Sequence, residues 1–152
     1  MASIGIVTEW FERGSAYVSQ ALIDSLESAG HKTAIFARSE HRTRGAALWP
    51  HENLVEAQSC YLPYPKSFRR SDFDRWIDDF RPDVILFNEQ VWVCPVLWAK
   101  SRGIRTIAYV DYYTSKSISD MRYYDALLCN TERHAQVMSW HPHCWYVPWG
   151  TD

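Results

Sequence analysis

The stretch Arg81-Pro82-Asp83-Val84-Ile85-Leu86-Phe87, followed by Asn88-Glu89-Gln90, decides the fold. Val84 to Phe87 is apolar on both faces, as a central strand of a parallel sheet is. The strand is flanked by helical patterns. Before it, Phe73, Trp76, Ile77 and Phe80 recur at helical spacing; Ser71 is placed to cap that helix, Asp72 and Asp74 suit its positive end, and Pro82 blocks its continuation. After it, Val91 to Ser101 is apolar nearly all round, with Pro95 in its first turn, and Gly103 ends it.

Outward from this unit the same alternation continues. Ile4 to Val7 reads as a strand. A helix follows from about Ser15, with Val18, Leu22 and Leu26 on one face and Gly30 as its stop, then a strand at Thr33 to Phe36. Residues 38–53 are polar and irregular, and a weak strand lies near Leu54 to Ala57. Ile104 to Val110 is the next strand. A short helix near Ser117 to Tyr124, a strand at Ala126 to Cys129, a helix capped by Asn130 or Thr131 running to about Trp140, and a buried strand at Trp145 to Val147 complete the series. Repeated strand–helix alternation predicts an α/β fold: a Rossmann-like, open, mainly parallel twisted sheet with helices on both faces. At 152 residues one domain over 1–152 is the expectation, large enough to hide roughly 70% of the surface of its unfolded chain.

Composition narrows the function classes. A net charge of −2 gives no global attraction to nucleic acid, so no such partner is expected. Cys60, Cys94, Cys129 and Cys144 lack metal-ligand spacing, and three of them sit in or beside apolar runs as reduced thiols do. No basic start precedes a long apolar run, and no stretch approaches the ~20 residues of a membrane span. A cytoplasmic, reducing setting is the expectation, with contact at the inner face of a membrane as a peripheral option. Eight Trp and nine Tyr are unusual; aromatics dominate cores, but they also build interfaces, here a surface meant for another domain, and cover sugar rings.

In an open parallel sheet ligands bind at the carboxyl ends of the strands. There the sequence collects Trp10, Glu89, Asp111-Tyr112-Tyr113 and Asn130. Carboxylates and amides exchange hydrogen bonds with hydroxyls while rings cover C–H faces, which suits hydroxyl-rich ligands. Arg13-Gly14-Ser15 opens the first helix, where glycine lets a ligand approach the backbone and free N–H groups face an anion. The pattern is neither a dinucleotide fingerprint nor a P-loop. Two basic stretches, Arg38-Ser-Glu-His-Arg-Thr-Arg44 and Lys66-Ser-Phe-Arg-Arg70, suit an anionic acceptor or lipid headgroups, though charged loops are more often simply solvated. His134 reads as a helix-surface residue.

Four segments together resemble the N-terminal domain of a family 4 glycosyltransferase with the GT-B fold. They are Ile4 to Val7 with Gly14 and the helix ending Ala29-Gly30-His31; Arg81 to Phe87; Gly103 to Val110; and Tyr124 to Glu132 with Val147-Pro-Trp-Gly-Thr-Asp152. The resemblance implies an acceptor-side half ending at a hinge to a donor-binding domain, which acts in cis or in trans. It implies a nucleotide-sugar and a glycan or lipid-linked acceptor as partners, retention of configuration without a protein nucleophile, and no metal or other cofactor. Gly14, with Arg13 and Ser15 beside it, maps to the turn that faces the donor diphosphate. Asp111 stands where the family commonly has a histidine facing the reacting sugar, and is the candidate for orienting or deprotonating an acceptor hydroxyl. Glu89, Tyr112, Tyr113, Asn130 and Trp10 are the acceptor-binding candidates. Two other readings remain: a non-catalytic module that binds a glycan or a protein through an aromatic surface at Trp10, Trp92 and Trp149, and another nucleotide-binding α/β protein.

Overall fold

A computed structural model describes residues 1–38, 49–57, 59–60, 67–90 and 92–148. Its centre is a seven-stranded sheet whose neighbouring strands are all parallel. In chain order the strands are β1 (Ser3–Glu9), β2 (Lys32–Arg38), β3 (Leu54–Ala57), the small pair β4 (Ser59–Cys60) and β5 (Ser67–Phe68), β6 (Val84–Asn88), β7 (Arg105–Val110), β8 (Ala126–Cys129) and β9 (Cys144–Tyr146). The large sheet runs β3-β2-β1-β6-β7-β8-β9, and β4 and β5 pair antiparallel beside it. The helices are α1 (Gly14–Ser28), α2 (Arg70–Phe80), α3 (Cys94–Ser101) and α4 (Glu132–Val137), with a 3-10 helix at Ile118–Tyr123.

Strand alternation divides the core in two. Ile6, Ile35, Leu86 and Tyr109 point to the face covered by α1, where they meet Ala16 and Ile23. Val7, Phe36, Phe87, Val110 and Leu127 point to the other face, against α2, α3 and the segment around α4. The second face is aromatic: Phe36 meets Phe68 and Phe73 edge-on, with ring centroids 4.8 and 5.3 Å apart. Gly5 belongs to this face. A Cβ there would stand 2.4 Å from Cη2 of Trp76, so the strand centre carries no side chain where the indole lies.

Helix ends follow the punctuation. At Gly30, φ +82°, the N–H groups of Gly30 and His31 return to Glu27 and Leu26 in a Schellman stop, and Gly103 ends α3 in the same way. Arg81 adopts the left-handed state at the end of α2, just before Pro82.

Several expectations change. Ser71 does not cap α2: the cap position is Arg69, without a side-chain bond, and Ser71 lies within the first turn. The fully buried stripe of α1 is Ser15, Ala16, Ser19 and Ile23, while Val18, Leu22 and Leu26 flank it half-buried. Small residues let the helix sit close to the sheet. Helix α3 begins at Cys94 and leaves Leu97 exposed. Helix α4 is capped by Thr131, which accepts the His134 N–H, and stops at Val137 rather than Trp140. The final strand, read as buried, is an edge: Trp145 is 51% and Tyr146 47% exposed, because β9 pairs only with β8 and α1 lies over β1 and β2. Residues 39–44, Lys66, Trp149 and the hinge placed at 149–152 lie outside the described residues.

Candidate functional site

The chain moves outward from β1 to β2 and β3 on one side, then returns to place β6, β7, β8 and β9 on the other. The junction between β1 and β6 is therefore the switch point of the sheet. Connections leave it in opposite directions and open a crevice at the carboxyl ends.

Polar side chains are buried beneath that crevice. Asn88, fully buried at the end of β6, donates from Nδ2 to the Ser15 carbonyl and to Ser19 Oγ, both at 2.9 Å. Ser19 Oγ donates to Thr8 Oγ1 at 2.7 Å. This chain of bonds ties the start of α1 to β1 and β6. It also explains why serines face the sheet where apolar residues were expected. Arg38, at the end of β2 and only 3% exposed, donates from Nη1 to the Glu89 carbonyl at 3.0 Å and from Nη2 to the Asn88 carbonyl.

Above this layer the charges converge. Arg13, immediately before α1, contacts Glu9 at 2.7 Å and Glu89 at 3.3 Å. Glu89 holds φ +52°, unusual for a residue with a Cβ. Asp111, just past β7, has its pKa pushed up to about 6. Burial is the main cause, followed by the charge of Glu89. A hydrogen bond with Glu89 adds to the rise, and the Asp111 and Tyr112 backbone groups offset part of it. Arg13, Glu89, Gln90, Trp92, Asp111 and Tyr112 line one cavity of about 920 Å³. Its far wall carries Lys116 and Asp120.

Helix α1 presents its N-terminus at the same edge. Its first internal bonds run from Ala16 and Tyr17 to the Arg13 carbonyl, so the Gly14 and Ser15 N–H groups precede them. The space a Gly14 Cβ would occupy is open to 4 Å. Ser15 itself is buried, and its hydroxyl points inward without a hydrogen-bond partner among the described residues. Only its backbone N–H is left at the start of the helix.

Arg13, Glu89, Asp111 and Tyr112 thus come together. The other acceptor-binding candidates do not. Trp10 is 3% exposed, and its indole donates to the Trp49 carbonyl at 2.9 Å, so it belongs to the core and not to a ligand surface. Trp92, named for the alternative binding surface, lines the cavity but is only 8% exposed. Tyr113 packs edge-on against His134, ring centroids 5.1 Å apart, and Asn130 Oδ1 lies 2.8 Å from His134 Nδ1. His134, read as a surface residue, also reaches the Val110 carbonyl at 3.0 Å and clamps the ends of β7 and β8 beside the cavity. Sequence reading missed Arg38 because a charged residue opening a polar stretch looks solvated. Glu9 ends a strand and so belongs to the legible rim, but its pairing with Arg13 carries no sequence signal. Among the described residues no three side chains cluster as metal ligands, and no helix is long and apolar enough to cross a membrane.

No family model matches the sequence, and no curated protein matches it. Solved structures do. The chain is similar to MurG of Acinetobacter baumannii, with 11% identity and a TM-score of 0.56 over 86% of this chain and 42% of that one. It is also similar to an alpha-glucosyltransferase in complex with UDP and a 13-mer DNA, with 14% identity and a TM-score of 0.55 over 95% of this chain and 40% of that one. The chain spans about two fifths of the length of either protein. At this identity the likeness is one of fold alone, and the fold is that of a Rossmann-like portion of GT-B glycosyltransferases.

Proposed function

We propose that this chain is the N-terminal, acceptor-side half of a retaining, family 4-type glycosyltransferase that moves a sugar from a nucleotide-sugar to a glycan or lipid-linked acceptor. One observation carries the reading. At the switch point, Arg13, at the start of α1, and a carboxyl pair, Glu89 with Asp111, line the same cavity. The first suits a diphosphate and the second a hydroxyl. In transfer, the acceptor oxygen bonds to the anomeric carbon and the bond to the nucleoside diphosphate breaks, the diphosphate leaving with the bonding electrons. The hydroxyl proton passes to Asp111. A carboxylate of raised pKa is a stronger base than an ordinary one, and at pH 7 it remains mostly ionised. Arg13 sits where it can follow the negative charge that develops on the departing diphosphate.

The donor nucleoside belongs to a companion half, in cis or in trans, so the 152-residue chain turns over no nucleotide-sugar by itself. The test is transfer from labelled UDP-sugars, with and without co-expressed donor-binding domains, reading the anomeric configuration of the product by NMR. Restored transfer with retention is the expected result. Transfer by the chain alone overturns the half-enzyme reading. Glycan binding that no companion converts into transfer favours a binding module instead; the exposed Tyr112 on the cavity wall is the feature that such a module would use.

A further inference from the structure

Arg38 ends β2, yet its guanidinium serves β6, reaching past the end of β1 to two consecutive carbonyls 50 and 51 residues away. Those carbonyls, of Asn88 and Glu89, are the point at which β6 stops. Glu89 there takes a left-handed backbone that a Cβ disfavours and that persists only when surrounding contacts over-determine it. A guanidinium has the rigid fork to grip two neighbouring acceptors at once, and a lysine does not. Arg38 is also held under protest: burial pushes its pKa down, and the charges of Glu9 and Glu89 push it back up. A buried cation that spends its donors on backbone carbonyls is more than a counter-ion.

We propose that Arg38 is a positioning residue: its two-carbonyl grip holds Glu89 in the left-handed state and so keeps the Glu89 carboxyl against Asp111. Its value to catalysis rests on the transferase reading, but its geometry does not. The charged groups around the pair are Arg13 and Glu9 from the β1–α1 junction, Arg38 from β2, and Lys116 and Asp120 from the segment after β7. Tyr124, buried and near Arg38, stays protonated. A change that preserves all these charges while breaking the grip isolates the geometric effect.

Arg38→Lys is that change. Carboxyl NMR of the full chain follows the Asp111 titration. We expect the midpoint to fall from about 6 by one unit or more, because Glu89 leaves its side. An unchanged midpoint in a folded Arg38→Lys protein overturns the proposal. Glu89→Gly supplies a second arm, since glycine takes the left-handed state without help. On that background Arg38→Lys is expected to cost at most half the melting-temperature drop it causes alone, and Glu89→Gly is expected to restore folding if Arg38→Lys alone does not fold. An equal drop, or a double variant that stays unfolded where Glu89→Gly folds, shows that Arg38 supports the fold independently of the Glu89 backbone and overturns the proposal. Neither arm involves sugar transfer. A failure here leaves the transferase reading standing, and a failure of transfer leaves this one standing.

Discussion

The two ends of the sheet treat their carboxylates in opposite ways. At the amino end they are satisfied. Asp125 accepts from the Thr106 N–H at 2.8 Å and the Thr106 hydroxyl at 3.1 Å and pairs with Lys100; burial pushes its pKa up, but these bonds outweigh that and hold it below the usual value. Glu27 is lowered in the same sense, first by the Thr33 hydroxyl and then by His51. Asp83 accepts the Ser3 N–H at 2.8 Å. At the carboxyl end, by contrast, Asp111 is raised, Glu89 is twisted into a left-handed backbone and Arg38 is buried against its preference. One end contributes stability. The other holds groups in states they would abandon if free, which is where ligand chemistry is expected.

The contrast can be broken from either side. The largest expected effect is Asp111→Asn in the completed enzyme. It should lower kcat/KM at least ~100-fold if the carboxylate takes the hydroxyl proton, and a loss below about threefold would return Asp111 to a structural role. Next is Asp125→Ala at the opposite end. It leaves the fully buried Thr106 without its acceptor and should cost about 2 to 3 kcal/mol in urea unfolding, with ligand binding at the far rim unchanged.

A smaller effect has a pH signature. Asp111 titrates near 6 when folded against an ordinary 3.8, so its native form binds the proton more tightly and stability falls as pH rises from about 4 to 6. Asp111→Asn should remove that slope and gain about 1 kcal/mol at pH 7, after allowance for solvent screening at a half-buried site. Asp125 and Glu27 act with the other sign. Their contributions are present above the ordinary carboxylate range and disappear as pH falls through their lowered folded values. The smallest effect is Lys100→Ala, which removes one exposed partner of Asp125 and should cost no more than ~0.5 kcal/mol. A larger loss would mean that Lys100, and not Thr106, carries the amino-end anchor.

The sheet was legible because doubly apolar runs such as Val84 to Phe87 and helix stops such as Gly30 and Gly103 are local signals. The β4–β5 pair was not, since two-residue strands carry no period. The rim was half legible. Glu89 and Asp111 follow strands directly, and strand ends can be read. Arg38 depends on carbonyls some 50 residues away, and Trp10 on the backbone of Trp49, 39 residues on. Residue type misled at both positions: arginine suggests solvent and tryptophan after a strand suggests a sugar platform, yet distant backbone acceptors drew both inside. His134 shows the same failure, because its partners Val110 and Asn130 belong to two different strand ends.

Strand β9 leaves a practical legacy. Trp145 and Tyr146 stand open along it and Val147 just after it, and residues 144–148 carry no charge. Among the described residues no strand pairs with its outer edge. Such a border invites hydrogen bonding from a neighbouring molecule. Concentrated samples should scatter light and lose monomer with time, and a lysine in place of Tyr146 should slow that loss while leaving the crevice at the far strands untouched.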